Sequence, residues 1–89
     1  MVNVPLFIFE KGEKYIAYTP AFDISTEGNT VKEAKANFRE LATLFIDELE
    51  EEGTLNEALK SLGWKEKEKT LIPPTHQQYE ISIKTPAVA

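Results

Sequence analysis

The chain has 89 residues, with 15 Asp and Glu against 10 Lys and Arg, a net charge of −5 and no cysteine. That length leaves room for one hydrophobic core, so a single domain over residues 1–89 is expected, and the missing cysteines exclude disulfides and thiolate metal sites. Arg39 is the lone arginine of an acidic chain, which lacks the clustered cations that hold a phosphate backbone, so no direct nucleic-acid binding is expected.

Hydrophobic residues make up 42% of the chain and charged residues 28%, a balance that argues against wholesale disorder. The N-terminal stretch MVNVPLFIFEKGEK has too short an apolar run for a secretory leader and no basic residues before it. No run approaches the roughly 20 apolar residues needed to span a bilayer. A cytoplasmic location away from membranes is therefore expected.

Val4 to Phe9 reads as a strand, and its run Leu6-Phe7-Ile8-Phe9 puts bulky apolar groups on both faces. A polar connection, Glu10 to Lys14, leads to a second strand at Tyr15-Ile16-Ala17-Tyr18, again apolar on both faces. Thr19-Pro20 breaks it, because proline has no N–H for a ladder. Phe22 to Thr26 reads as a third short strand.

Thr30-Val31-Lys32-Glu33 is a capping box that opens the main helix. In it the Thr30 hydroxyl accepts from the Glu33 N–H, and the Glu33 carboxylate reaches back to the Thr30 N–H. Gly28 suits the sharp turn just before it. Val31, Ala34, Phe38, Leu41, Ala42, Phe45 and Leu49 recur at helical spacing and predict one buried stripe, with Leu44 and Ile46 on its flanks. Gly53 is the expected C-cap.

Thr54-Leu55-Asn56-Glu57 repeats the capping-box pattern and opens a short helix. Gly63 closes that helix, with Trp64 placed for the hydrophobic contact of a Schellman motif. Lys65 to Lys69 alternates lysine with glutamate and reads as a solvated connector, followed by extended Leu71-Ile72-Pro73-Pro74. Tyr79, Ile81 and Ile83 alternate with Glu80, Ser82 and Lys84, which predicts a last strand with one buried face. The expected architecture is α+β: a three-stranded N-terminal meander, a long helix, a short helix and a C-terminal strand, β-β-β-α-α-β.

Catalytic chemistry finds few residues to work with. His76 is the lone histidine and sits in a polar stretch beside two prolines, without a recognisable partner. No phosphate loop, nucleophile elbow or metal-ligand spacing is present in the sequence. Asp23 is the one carboxylate within a predicted strand, whereas a two-metal nuclease needs several converging from different elements. The expectation is a protein that is not an enzyme and holds no catalytic residue, cofactor or metal.

Two features remain as a candidate partner surface. One helix covers only one face of a sheet, so either Leu6 with Ile8 or Phe7 with Phe9 faces outward, as does one pair from Tyr15 to Tyr18; an exposed patch of that kind marks an interface. The competing arrangement folds the short helix, Trp64 and Leu71-Ile72 over that face. The acidic run Asp47-Glu48 and Glu50 to Glu52 ends the long helix, where the macrodipole favours cations. It reads either as a solvated helix end or as a docking patch for a basic partner. Phe7, Phe9, Tyr15, Tyr18, Asp47, Glu48 and Glu51 are the candidate partner-binding residues, and a homodimer or higher homo-oligomer is expected.

Tyr15, Ala17, Pro20, Gly28, Asn29, Thr30, Glu33 and Ala34 occur in an order that resembles the N-terminal domain of the HicB antitoxin family. In that family an aromatic strand leads through a proline turn and a short strand into a Gly-Asp/Asn-Thr helix entry followed by Glu-Ala. The resemblance implies a partial ribonuclease-H-like fold without nuclease catalysis. It also implies a protein that binds and neutralises a small basic RNA-cleaving toxin. Family members usually carry a C-terminal DNA-binding module as well, and residues 1–89 contain none. The alternative is a stand-alone homo-oligomeric scaffold or small-ligand-binding domain with no toxin partner.

Overall fold

The computed structural model of the chain describes residues 1–87. Strands β1 (Phe7–Lys11), β2 (Lys14–Thr19) and β3 (Ile24–Gly28) form an antiparallel meander in the order β1-β2-β3. Helices α1 (Val31–Glu51) and α2 (Leu55–Ser61) follow, then an antiparallel hairpin of β4 (Lys65–Lys67) and β5 (Thr70–Ile72). The α+β class and the order of strands and helices are those expected from the sequence.

The closing β element differs in place. Lys65–Lys69, expected as a connector, supplies one arm and the turn of the β4–β5 hairpin, while Tyr79–Lys84 forms no strand. Glu68 and Lys69 make the turn with φ of 51° and 65°. Left-handed backbone at both central positions is the type I′ geometry, ordinarily announced by Asn-Gly. Two long charged side chains conceal it here.

The register Phe7↔Tyr18, Phe9↔Ile16 and Ile8↔Ala17 sorts the meander into two faces. Directly paired residues share a face, and alternate residues along a strand do too. Leu6, Ile8, Tyr15, Ala17, Thr19, Ile24 and Gly28 therefore lie on one side, which α1 covers over β2 and β3. Gly28 is required by that close approach. A Cβ built there would stand 2.5 Å from the Ala34 backbone nitrogen, well inside contact distance.

The entry into α1 follows the capping box with one change. The Thr30 hydroxyl accepts from the Glu33 N–H at 3.0 Å, but the Glu33 carboxylate accepts from the Asn29 N–H at 3.1 Å rather than from Thr30. A helix of 21 residues is about 31 Å long, whereas strands of 5 or 6 residues span about 17–20 Å. The sheet therefore buries Ala34 and Phe38, the C-terminal part of α1 overhangs it, and Leu44 is 60% exposed. Val31, expected in the buried stripe, is 40% exposed in the first turn.

Both helices end in Schellman motifs. Gly53 N–H bonds the Glu50 carbonyl and Thr54 N–H the Leu49 carbonyl; Gly63 and Trp64 repeat this on Lys60 and Leu59. Because the Thr54 N–H and backbone serve the first helix's end, its hydroxyl makes no cap bond to α2, and the expected second capping box does not form. Gly63 has φ of 99°, the left-handed value this motif requires.

Trp64 closes the core. It stacks on Phe22 with ring centroids 5.6 Å apart and planes at 15°, and its indole N–H donates to the Ala21 carbonyl at 2.8 Å. Phe22 in turn packs against Phe45 of α1 at 5.7 Å. Phe22 reaches this position from a turn, not from the strand expected at Phe22–Thr26. The Thr19 carbonyl accepts from the Asp23 N–H at 2.9 Å, and Asp23 takes φ of 54°. β3 consequently begins at Ile24.

Candidate functional site

The candidate surface is the face of the meander opposite α1. Phe7 and Phe9 of β1, Ile16 and Tyr18 of β2, and Ser25 and Glu27 of β3 share it by register. Phe9 is 52% exposed, and Phe7, Ile16 and Tyr18 are half-buried. Trp64 and Leu71 do not lie over them, since Trp64 joins the buried cluster on the helix side and Leu71 packs against it. His76 is exposed and stands edge-on to Phe7, with ring centroids 5.8 Å apart and planes at 84°.

Tyr18 is tied down at the rim of this face. Its hydroxyl donates to Asp23 Oδ1 at 3.0 Å. That hydrogen bond, with some desolvation and the carboxylate's charge, holds the phenol above the ordinary tyrosine value of 10.0. Asp23, itself exposed, is thereby a positioning partner for Tyr18.

The structure separates the residues that sequence reasoning grouped. Phe7, Phe9 and Tyr18 come together. Tyr15 does not: it lies on the helix-side face, packs against the core, and its hydroxyl donates to Glu10 at 3.3 Å. Tyr15 and Tyr18 are three apart, so a strand must point them to opposite sides. The same parity would have found Ile16, which the grouping missed. Asp47, Glu48 and Glu51 stand on the overhanging end of α1, on the other side of the sheet, and are exposed.

Asp47 belongs to a different feature. Met1 to Val4 and Leu6 form one wall of an open groove of about 610 Å³, and α1 forms the other with Arg39, Ala42, Ile46 and Asp47. Phe22 and Phe38 also line it. The lining is mainly apolar, with Lys35, Arg39 and Asp47 as charged rim.

Among the described residues no group of three or more His, Asp or Glu side chains is arranged to hold a metal, and no helix is long and apolar enough to cross a membrane. The chain has no significant match to any protein-family model, curated protein or solved structure it was compared with. Geometry and sequence pattern therefore carry the functional reading.

Proposed function

We propose that this chain is a non-catalytic, cytoplasmic protein-binding domain of the HicB antitoxin type, which neutralises a small basic RNA-cleaving toxin by occluding it. The observation that carries the reading is the face bearing Phe7, Phe9, Ile16 and Tyr18, apolar, partly exposed and uncovered by the helices. An apolar patch rimmed by polar groups, here Asp23, Ser25 and Glu27, is the usual form of a protein interface.

The charge balance supports the same partner. The net charge is −5, and the last turn of α1 carries no basic residue to offset Asp47, Glu48, Glu50 and Glu51. Acidic groups there are locally unfavourable by about 0.3–1 kcal/mol each, and a basic partner relieves that cost while steering encounter. Co-expression with the product of an adjacent small basic reading frame tests the proposal. A co-purifying complex and rescue from growth arrest are expected; neither appearing, with both proteins soluble, would sink it.

A second reading is a stand-alone homo-oligomeric scaffold or small-ligand-binding domain, favoured by the apolar groove beside Leu6 and Ala42. A gene neighbourhood without any small basic reading frame would select it over the first.

A further inference from the structure

The segment Tyr79–Lys84 is written as a strand and has no sheet. Tyr79, Ile81 and Ile83 are 76%, 77% and 70% exposed, alternating with Glu80, Ser82 and Lys84. A period-two apolar row specifies a strand with one buried face, yet no strand is formed beyond Ile72 among the described residues. The hydroxyl of Tyr79 donates to Gln77, a contact within the same stretch. His76, just before the segment, meets Phe7 of the body, and residues 75–87 are all exposed. The Cα radius of gyration is accordingly 16.1 Å and the long axis 54 Å, against a radius of about 12 Å for a compact chain of this length.

The meander supplies the complementary vacancy. Its order β1-β2-β3 leaves β1 and β3 as edges. The β3 edge is engaged by α1, from which Asn37 Nδ2 donates to the Glu27 carbonyl at 3.0 Å. Among the described residues no hydrogen bond from outside the meander engages β1, and the open groove is lined by Leu6, just before it, with Val4, Ala42 and Ile46. An uncovered edge is a template for an added strand, and an extended peptide with alternate apolar side chains is the ligand such an edge selects.

The geometry points to exchange between two copies of this chain, with Tyr79–Lys84 of each adding to the β1 edge of the other. Tyr79, Ile81 and Ile83 then face the helix side, beside Leu6 and Ile8 and over the open flank of the groove, and Glu80, Ser82 and Lys84 face water. The exchange is reciprocal, so one two-fold axis satisfies both edges and both tails. It also gives a chain of 89 residues the additional burial that small cores need. The inference requires only copies of this chain and stands or falls independently of any toxin.

Sedimentation equilibrium of the purified full chain, alone, tests it with two variants. The unmodified protein is expected to be dimeric at micromolar concentration. Ile81→Lys with Ile83→Lys is expected to weaken the dimer by roughly a hundredfold or more, since two apolar side chains lose their burial on each side. Ser82→Lys, between them on the water-facing side, leaves it unchanged. Both sites are exposed in the single chain, so helix content by circular dichroism stays the same. A monomeric unmodified protein would overturn the inference, including one whose tail pairs with its own β1. So would a dimer that survives the double substitution, or one that Ser82→Lys disrupts equally.

Discussion

The meander with α1 and the segment after Pro73 treat their polar backbone and apolar side chains in opposite ways. In the first region every strand has a neighbour, the helix entry is capped by Thr30, and Gly28 lets α1 touch the sheet. In the second, Tyr79, Ile81 and Ile83 carry an equally ordered pattern with nothing to bury against. Local order and tertiary partnership are thus separable: a sequence can specify a strand completely while its sheet lies elsewhere. The C-terminal hairpin is intermediate, being formed but too short to stand alone.

The strongest way to break this contrast is to remove the side chain that closes the first region's core. Trp64→Ala removes the stack on Phe22 and the bond to Ala21. It should cost about 3–5 kcal/mol by urea unfolding, enough to unfold a chain of this size. A loss below about 1 kcal/mol would mean that the N-terminal region is stable without it. Gly28→Ala comes next. Its Cβ has no room against the Ala34 backbone, and displacing α1 should cost about 1–3 kcal/mol in the same assay.

The two threonines before the helices sharpen the comparison at smaller scale. Thr30→Ala should lose about 1 kcal/mol, because its hydroxyl caps α1. Thr54→Ala should lose only a few tenths, because Thr54 makes no side-chain cap bond. Equal losses would contradict the difference in capping. The smallest effect is a gain. Glu68→Asn with Lys69→Gly relieves left-handed backbone at both turn positions and should add up to about 1 kcal/mol, read as a rise in the thermal midpoint.

Much of the first region is legible in the sequence because its signals are local. Thr30-x-x-Glu33 and the Gly63-Trp64 helix end each depend on a few neighbouring residues: the Thr30 hydroxyl cap and the Gly63-Trp64 end form as read, while the return bond of Glu33 moves to Asn29 and Gly28 serves the close approach of α1 rather than a turn. The start of β3 is not legible, since Phe22 is drawn into the core by Trp64, a residue 42 positions away, and the intervening turn rests on Asp23 in a left-handed conformation. The β4–β5 turn is hidden because Glu68 and Lys69 are poor signals for the backbone they adopt. The candidate surface was half legible. Phe7, Phe9 and Tyr18 follow from strand pattern, but which pair faces outward needed the register, and the acidic end of α1 needed the helix's length relative to the sheet.

Hydrogen exchange of the Glu80–Lys84 amides at two protein concentrations addresses the unpartnered strand most directly. Protection at high micromolar concentration that disappears on dilution is the predicted result, since the partner proposed for the strand is another copy. Free exchange at every concentration, or protection that does not change with dilution, would contradict it.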